Sequence, residues 1–204
     1  MTDLARALLD AFIAGARATS VTELIAVLFG LGYIVLAIGR RRACWIAGGI
    51  GTALYVLVFF AARLPLQAAL QVIYVAMAAY GWWAWRPEAG AAAIAPRRWS
   101  LWPQLLTAAA VLAATAVTAP LLARLAAAAA PVADALGTWA SIAATWMLAR
   151  RMLESWLWWI VIDSGLALLF FSQGLVFTAA LYLAYAVLAV AGWRSWRAAL
   201  GPAA

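Results

Sequence analysis

The stretch Gly81-Trp82-Trp83-Ala84-Trp85-Arg86 (GWWAWR) returns as GWRSWR at 192–197, an offset of 111 residues. Extending the two copies toward the N-terminus without a gap keeps them in register. Tyr74 falls on Tyr185, Ala68-Ala69-Leu70 on Ala179-Ala180-Leu181, Phe59-Phe60 on Phe170-Phe171, Trp45 on Trp156 and Arg40 on Arg151. Over 21–86 against 132–197, 16 of 66 positions are identical. An alanine-rich chain matches its own alanines by composition alone, but not its Trp, Tyr, Phe-Phe and Gly in one register. The chain therefore reads as an internal repeat.

What is repeated follows from composition. Of 204 residues, 69% are hydrophobic and 10% charged, and the mean hydropathy is +0.99. A soluble domain is nearer half apolar and a quarter charged, so the sequence reads as an integral membrane protein. Apolar runs long enough to span a bilayer of about 30 Å occur at 21–39, 44–62, 66–85, 102–122, 132–149, 156–172 and 175–193. The offset lays the first three runs on the last three and leaves the fourth unmatched. Equivalent spans are four apart, so both halves run the same way through the membrane. The expected fold is all-α, with seven transmembrane helices arranged as two parallel three-helix bundles joined by a connector helix. Such parallel repeats are a recognised transporter plan, with the binding site near the bilayer midplane between the halves. The chain then divides into an amphipathic N-terminal segment (1–20), a first repeat (21–86), a cytoplasmic loop with connector (87–131), a second repeat (132–197) and a tail (198–204). Within 4–16, Leu4, Leu8, Leu9, Phe12, Ile13 and Ala16 form one stripe, which suits a helix lying in the membrane interface. Asp3 and Asp10 interrupt any apolar core of a signal peptide there.

The charges give an orientation. All 14 basic residues are arginine, against seven acids. Arg40, Arg41, Arg42, Arg86, Arg97, Arg98, Arg150, Arg151, Arg194 and Arg197 fall on one side of the spans; only Arg6, Arg17, Arg63 and Arg124 fall on the other. Arginine concentrates in cytoplasmic loops, so the N-terminus is expected outside and the C-terminus inside. The basic balance is thereby accounted for by membrane insertion, and nucleic acid is not an expected partner. With no histidine and one cysteine (Cys44), neither a metal cluster nor a Cys–His nucleophile is expected. Nor is there an acid–base pair at depth, so the sequence does not read as an enzyme.

Asp163 is the one acid deep in a span, about 12 Å past Ser155 along the helix axis. An ionisable group at that depth is a functional candidate by default. Trp156, Trp159 and Asp163 share a helical face at i, i+3 and i+7, whereas Trp158 points elsewhere. Two indoles and a carboxylate suit a flat cation, through stacking and charge pairing. The third span adds Gln67, Gln71 and Tyr74, and the seventh adds Thr178, Tyr182 and Tyr185 at the aligned positions. On the second span Thr52 aligns with Asp163, and Tyr55 follows one turn later. Plainer roles suit the same residue types. Trp156 also fits an interfacial aromatic belt, as do Trp82, Trp85, Trp193 and Trp196. Asp163 and single Gln or Thr residues also serve to stitch helices together. Thr138, Ser141 and Thr145 are expected to bond their own helix, and Gly48, Gly49 and Gly51 to allow close helix packing rather than line a pore.

The stretches QVIYVAMAAYGWWAW (71–85) and ESWLWWIVIDSGLALLFFSQGLVFTAALYLAYAVLAVAGWRSW (154–196) resemble the PnuC-type vitamin transporters. That resemblance covers most of 21–197 and implies seven helices in a 3+1+3 arrangement similar to SWEET sugar transporters. The family signature W-x-x-W-x-x-x-N is matched by Trp156 and Trp159, with Asp163 in place of the Asn. What the resemblance implies is energy-independent uptake of nicotinamide riboside by alternating access in the bacterial inner membrane, with cytoplasmic phosphorylation trapping the product. It also implies a homotrimer and no bound cofactor or metal. Thiamine and riboflavin, carried by related members, are the alternative substrates. A SWEET-like sugar carrier and a membrane scaffold rank lower, because the tryptophan pair with an acid favours a planar cation and a scaffold needs no polar stripes at midplane depth.

Overall fold

The computed structural model describes residues 3–61, 65–86, 94–125 and 130–200. Among them are eight helices: α1 (Asp3–Ala18), α2 (Val21–Ile38), α3 (Cys44–Ala61), α4 (Pro65–Ala84), α5 (Leu101–Leu125), α6 (Pro131–Ala149), α7 (Ser155–Ser172) and α8 (Val176–Ala199). The apolar runs and α2–α8 share their bounds closely, except that α5 runs on to Leu125 and α8 continues through the arginines to Ala199. Five helices (α2, α3, α5, α7, α8) are long and apolar enough to cross a membrane, and α4 contributes the shorter apolar stretch Ala68–Ala84. Helix α6 is more polar, carrying Asp134, Thr138, Ser141 and Thr145. Large apolar side chains face outward: Val161 and Leu168 are 73% and 72% exposed, as lipid-facing positions are. The chain is a multi-pass, all-helical membrane protein.

Local chemistry sets several helix ends. Ser20 and Glu23 form a reciprocal capping box at the start of α2, with Ser20 N–H donating to Glu23 Oε2 at 2.7 Å and Glu23 N–H to Ser20 Oγ at 3.2 Å. Pro131 opens α6, where its missing N–H costs nothing. Helices α2 and α6 end in the same turn. Arg40 (φ 56°) and Arg151 (φ 66°), 111 residues apart, are left-handed. Around each, the next N–H reaches back five residues: Arg41 to the Leu36 carbonyl at 2.9 Å, and Met152 to that of Met147 at 3.0 Å. These are Schellman caps, built on arginine instead of the usual glycine.

Helix α3 packs between α2 and α4, and α7 between α6 and α8. The two groups meet through α2 on α8 and α4 on α6, while α5 packs on α6. Four tryptophans join the groups at the arginine-rich end. Ring centroids are 5.4 Å apart for Trp45–Trp85, 5.8 Å for Trp85–Trp196 and 5.6 Å for Trp196–Trp156. The indole N–H of Trp85 donates to the carbonyls of Leu148 and Ala149, at 3.3 and 3.1 Å; that of Trp196 donates to Ala37, at 3.0 Å. Each ring thus ties the last helix of its own group to the end of the first helix of the other. Trp45 lies on Gly81 and Trp156 on Gly192, where a methyl group would collide with the ring.

Trp85 and Trp196 are therefore not belt residues, as their position near span ends suggests. Both are fully buried, because the helix ends converge over them and their N–H groups find carbonyls. Trp82 and Trp193 do sit at the surface under arginines, with Arg42 3.6 Å above Trp82 and Arg197 5.0 Å from Trp193.

Two flanking pieces complete the bundle. The strip before α5 is zipped to the α6–α7 turn. Arg97 N–H donates to Arg151, Leu153 N–H donates to Arg97, both at 2.8 Å, and Glu154 accepts from Trp99 N–H at 3.0 Å. Helix α1 packs on the start of α8, where Phe12 meets Phe177 edge-on at 5.2 Å.

Candidate functional site

Between the two helix groups lies a cavity of about 290 Å³, near the lower end of the roughly 300–1,000 Å³ typical of small-molecule sites. Helix α7 supplies Trp156, Trp159 and Asp163 on one face. Asp163 is 4% exposed. Among the described residues no arginine lies within ion-pair distance of its carboxylate; the ion pair seen there is Arg98 with Glu154, at 4.0 Å. Trp158 turns the other way, onto the cluster of Val111, Ala140, Ala144 and Ile162.

The remaining wall is aromatic and hydroxylic. Gln71 and Tyr74 enter from α4, Tyr182 and Tyr185 from α8, and Thr52 and Tyr55 from α3. Tyr182 stacks on Phe170 at 5.2 Å and meets Tyr185 edge-on at 5.9 Å. Thr52 Oγ1 donates to its own helix, to Gly48 at 2.9 Å and Gly49 at 3.2 Å, so its oxygen is left to accept. Thr145 does the same toward Ser141, at 2.7 Å.

Not every candidate reaches this cavity. Thr178 stands in the first turn of α8, about 10 Å along the axis from Tyr185, and does not line it. The side chain of Gln67 lies outside the described residues. Ser141 and Thr145, expected only to bond their own helix, also face the cavity. Gly48 and Gly51 do let α2 approach, since added methyl groups there would sit 2.9 Å from the Tyr33 ring and 3.2 Å from Phe29 Cβ. Both glycines line the cavity as well. Tyr33 and Trp45 are lining residues that helical spacing does not pick out. Tyr33 is an isolated polar group in an apolar helix, and Trp45 stands at a span start, where a belt role suits it. The available signal was the pairing of Trp45 with Trp156 at the repeat offset.

A helical membrane bundle enclosing a cavity of this size, lined by aromatic rings and one buried carboxylate, is the architecture of a small-molecule transporter. The chain belongs to the nicotinamide mononucleotide transporter family, whose model matches residues 20–198, and is a PnuC-type membrane transporter rather than an enzyme. It is 30% identical over 171 residues to the riboflavin/roseoflavin transporter RibM of Streptomyces davaonensis, covering 81% of this chain and 80% of that one. It is 28% identical over 209 residues to the nicotinamide riboside transporter PnuC of Escherichia coli, covering 90% and 87%. A crystal structure of the vitamin B3 transporter PnuC has the same fold, with a TM-score of 0.73 at 23% identity over 98% of this chain and 93% of that one.

Proposed function

We propose that this protein takes up nicotinamide riboside by facilitated diffusion, alternating access around the cavity between the two helix groups. The observation that carries the reading is Asp163: a carboxylate buried among indoles and tyrosines, without a basic partner among the described residues. Burying an uncompensated charge is costly, and an entering pyridinium cation offsets that cost while its ring stacks on Trp159. Gln71, Tyr74, Tyr182, Tyr185, Thr52 and Tyr55 complete the binding wall, with Trp156 at its end. Thr178, and Gln67 at the equivalent position, then belong to the outer approach.

The same reading takes α2–α8 as seven spans in a 3+1+3 plan, with 21–86 and 132–197 as parallel repeats about an axis normal to the membrane and α5 as connector. Matched caps, matched Trp–Gly contacts and reciprocal indole bonds at the offset of 111 support it. It places the arginine-rich end in the cytoplasm of a bacterial inner membrane and three copies in the assembly.

Riboflavin is the second reading, favoured by the likeness to the Streptomyces davaonensis transporter; thiamine, a flat cation too, is the third. Calorimetry on the purified protein with nicotinamide riboside, riboflavin, thiamine and glucose separates them. Tightest binding of nicotinamide riboside is expected. A preference for glucose, or no binding to any vitamin, would overturn the proposal.

A further inference from the structure

Four side chains among the described residues keep a buried polar atom without a hydrogen-bond partner: Tyr33 Oη, Trp45 Nε1, Trp156 Nε1 and Arg40 Nε. The first three belong to residues lining the central cavity. Native folds rarely leave a buried donor unmatched, because removing it from water without replacing the bond is costly. The neighbouring rings sharpen the contrast. Trp85 and Trp196 touch Trp45 and Trp156, yet their N–H groups are satisfied by backbone carbonyls. The fold supplies acceptors to the two indoles that lie away from the cavity and none to the two that line it.

Tyr33 and Trp45 are also neighbours, with ring centroids 5.7 Å apart at 63°. The Tyr33 ring rests on Gly48, and Trp45 rests on Gly81, so both rings are held by packing. On the same helix as Trp45, Thr52 Oγ1 has committed its proton to its own helix and can only accept. That wall therefore offers two donors and an acceptor. A hydroxyl group, which accepts and donates at once, matches it; a hydrocarbon arm does not.

We infer that Tyr33 and Trp45 form a second, hydrogen-bonding subsite of the cavity, which receives a polyhydroxylated arm of the ligand while its planar ring lies against Trp159 and Asp163. The inference rests on the functional reading above and narrows it. A ring bearing a ribosyl or ribityl arm satisfies both walls, whereas thiamine, with a single hydroxyethyl group, leaves the α2–α3 wall largely unmatched.

The test uses Tyr33→Phe and Trp45→Phe in the purified full-length protein, each keeping an aromatic ring and deleting the donor. Calorimetry compares nicotinamide riboside with the N-methylnicotinamide cation, which has the ring and no arm, and riboflavin with lumiflavin on the same logic. Each variant is expected to weaken the arm-bearing member of the bound pair roughly five- to tenfold, the scale of one hydrogen bond, and to leave the armless member unchanged. Equal weakening of both members overturns the subsite, as does unchanged riboside or riboflavin affinity in Tyr33→Phe. Thermal unfolding without ligand gives an independent readout. Removing an unmatched hydroxyl should leave the Tm of Tyr33→Phe unchanged or higher, and a clear fall overturns the donor assignment. If the wild type binds none of the four compounds while that Tm holds, the functional reading fails and the donor assignment stands.

Discussion

Asp163 is four residues beyond Trp159 on α7, one turn deeper into the cavity, and is held there with 4% exposure. A carboxylate so placed favours a cation over a neutral isostere, a distinction that an asparagine at the same point draws less sharply. Asp163→Ala is therefore expected to weaken a cationic vitamin by about 1–3 kcal/mol, the range for a hydrogen bond to a charged group. Asp163→Asn restores the amide of the family signature. It should retain nicotinamide riboside if that is the ligand, and should lose more affinity for a ligand such as thiamine recognised mainly by charge. Trp159→Ala should lose about 1–2 kcal/mol whichever flat vitamin binds. Isothermal titration of the three variants checks these values. Unchanged affinity in Asp163→Ala together with a lower Tm would make the acid a stitch between helices.

Among elements, the decisive contacts are those of α3 with α4 and of α7 with α8. Each pair closes only because a tryptophan near the start of one helix lies flat on a glycine of the other: Trp45 on Gly81, and Trp156 on Gly192. A methyl group at Gly192 would fall 2.5 Å from the Trp156 ring, and one at Gly81 would overlap the Trp45 ring. Gly81→Ala and Gly192→Ala are each expected to destabilise by about 1–3 kcal/mol or more, the cost of overpacking, although alanine is the better helix former. Gly32→Ala is the control, since nothing lies within 4 Å of the added methyl group; it should be neutral or stabilising. Thermal unfolding in one detergent compares all three. If Gly81→Ala matches Gly32→Ala, the ring–glycine contact does not govern the packing of that pair.

At the scale of the molecule, the turns that follow α2, α4, α6 and α8 gather at one end, where backbone and side-chain bonds link 37–42, 82–86, 94–97, 148–151 and 195–197. Ten of the 14 arginines belong to these turns or their flanks. Moving that many guanidinium groups across a bilayer is far costlier than moving the few at the opposite end, so the proposed orientation keeps this end cytoplasmic. A reporter fused after residue 204 should be active only in the cytoplasm, and periplasmic activity would reverse the topology.

The sequence by itself determined the helices and much of the cavity wall. Membrane spans must satisfy their backbone internally, so apolar length alone marks where helices run, and 3.6-residue spacing puts Trp156, Trp159 and Asp163 on one face. The offset of 111 residues likewise foretold which side chains occupy equivalent places, down to the paired left-handed arginines. Tertiary structure alone decided which polar groups are satisfied. Trp45, Trp85, Trp156 and Trp196 all stand near span ends in similar apolar surroundings, and no local pattern separates them. The convergence of α2 and α6 ends over Trp85 and Trp196 supplies carbonyls to those two rings, while Trp45, Trp156 and Tyr33 are left with unmatched donors at the cavity. Whether a buried donor finds an acceptor depends on residues far away in the chain, which spacing along one helix does not encode.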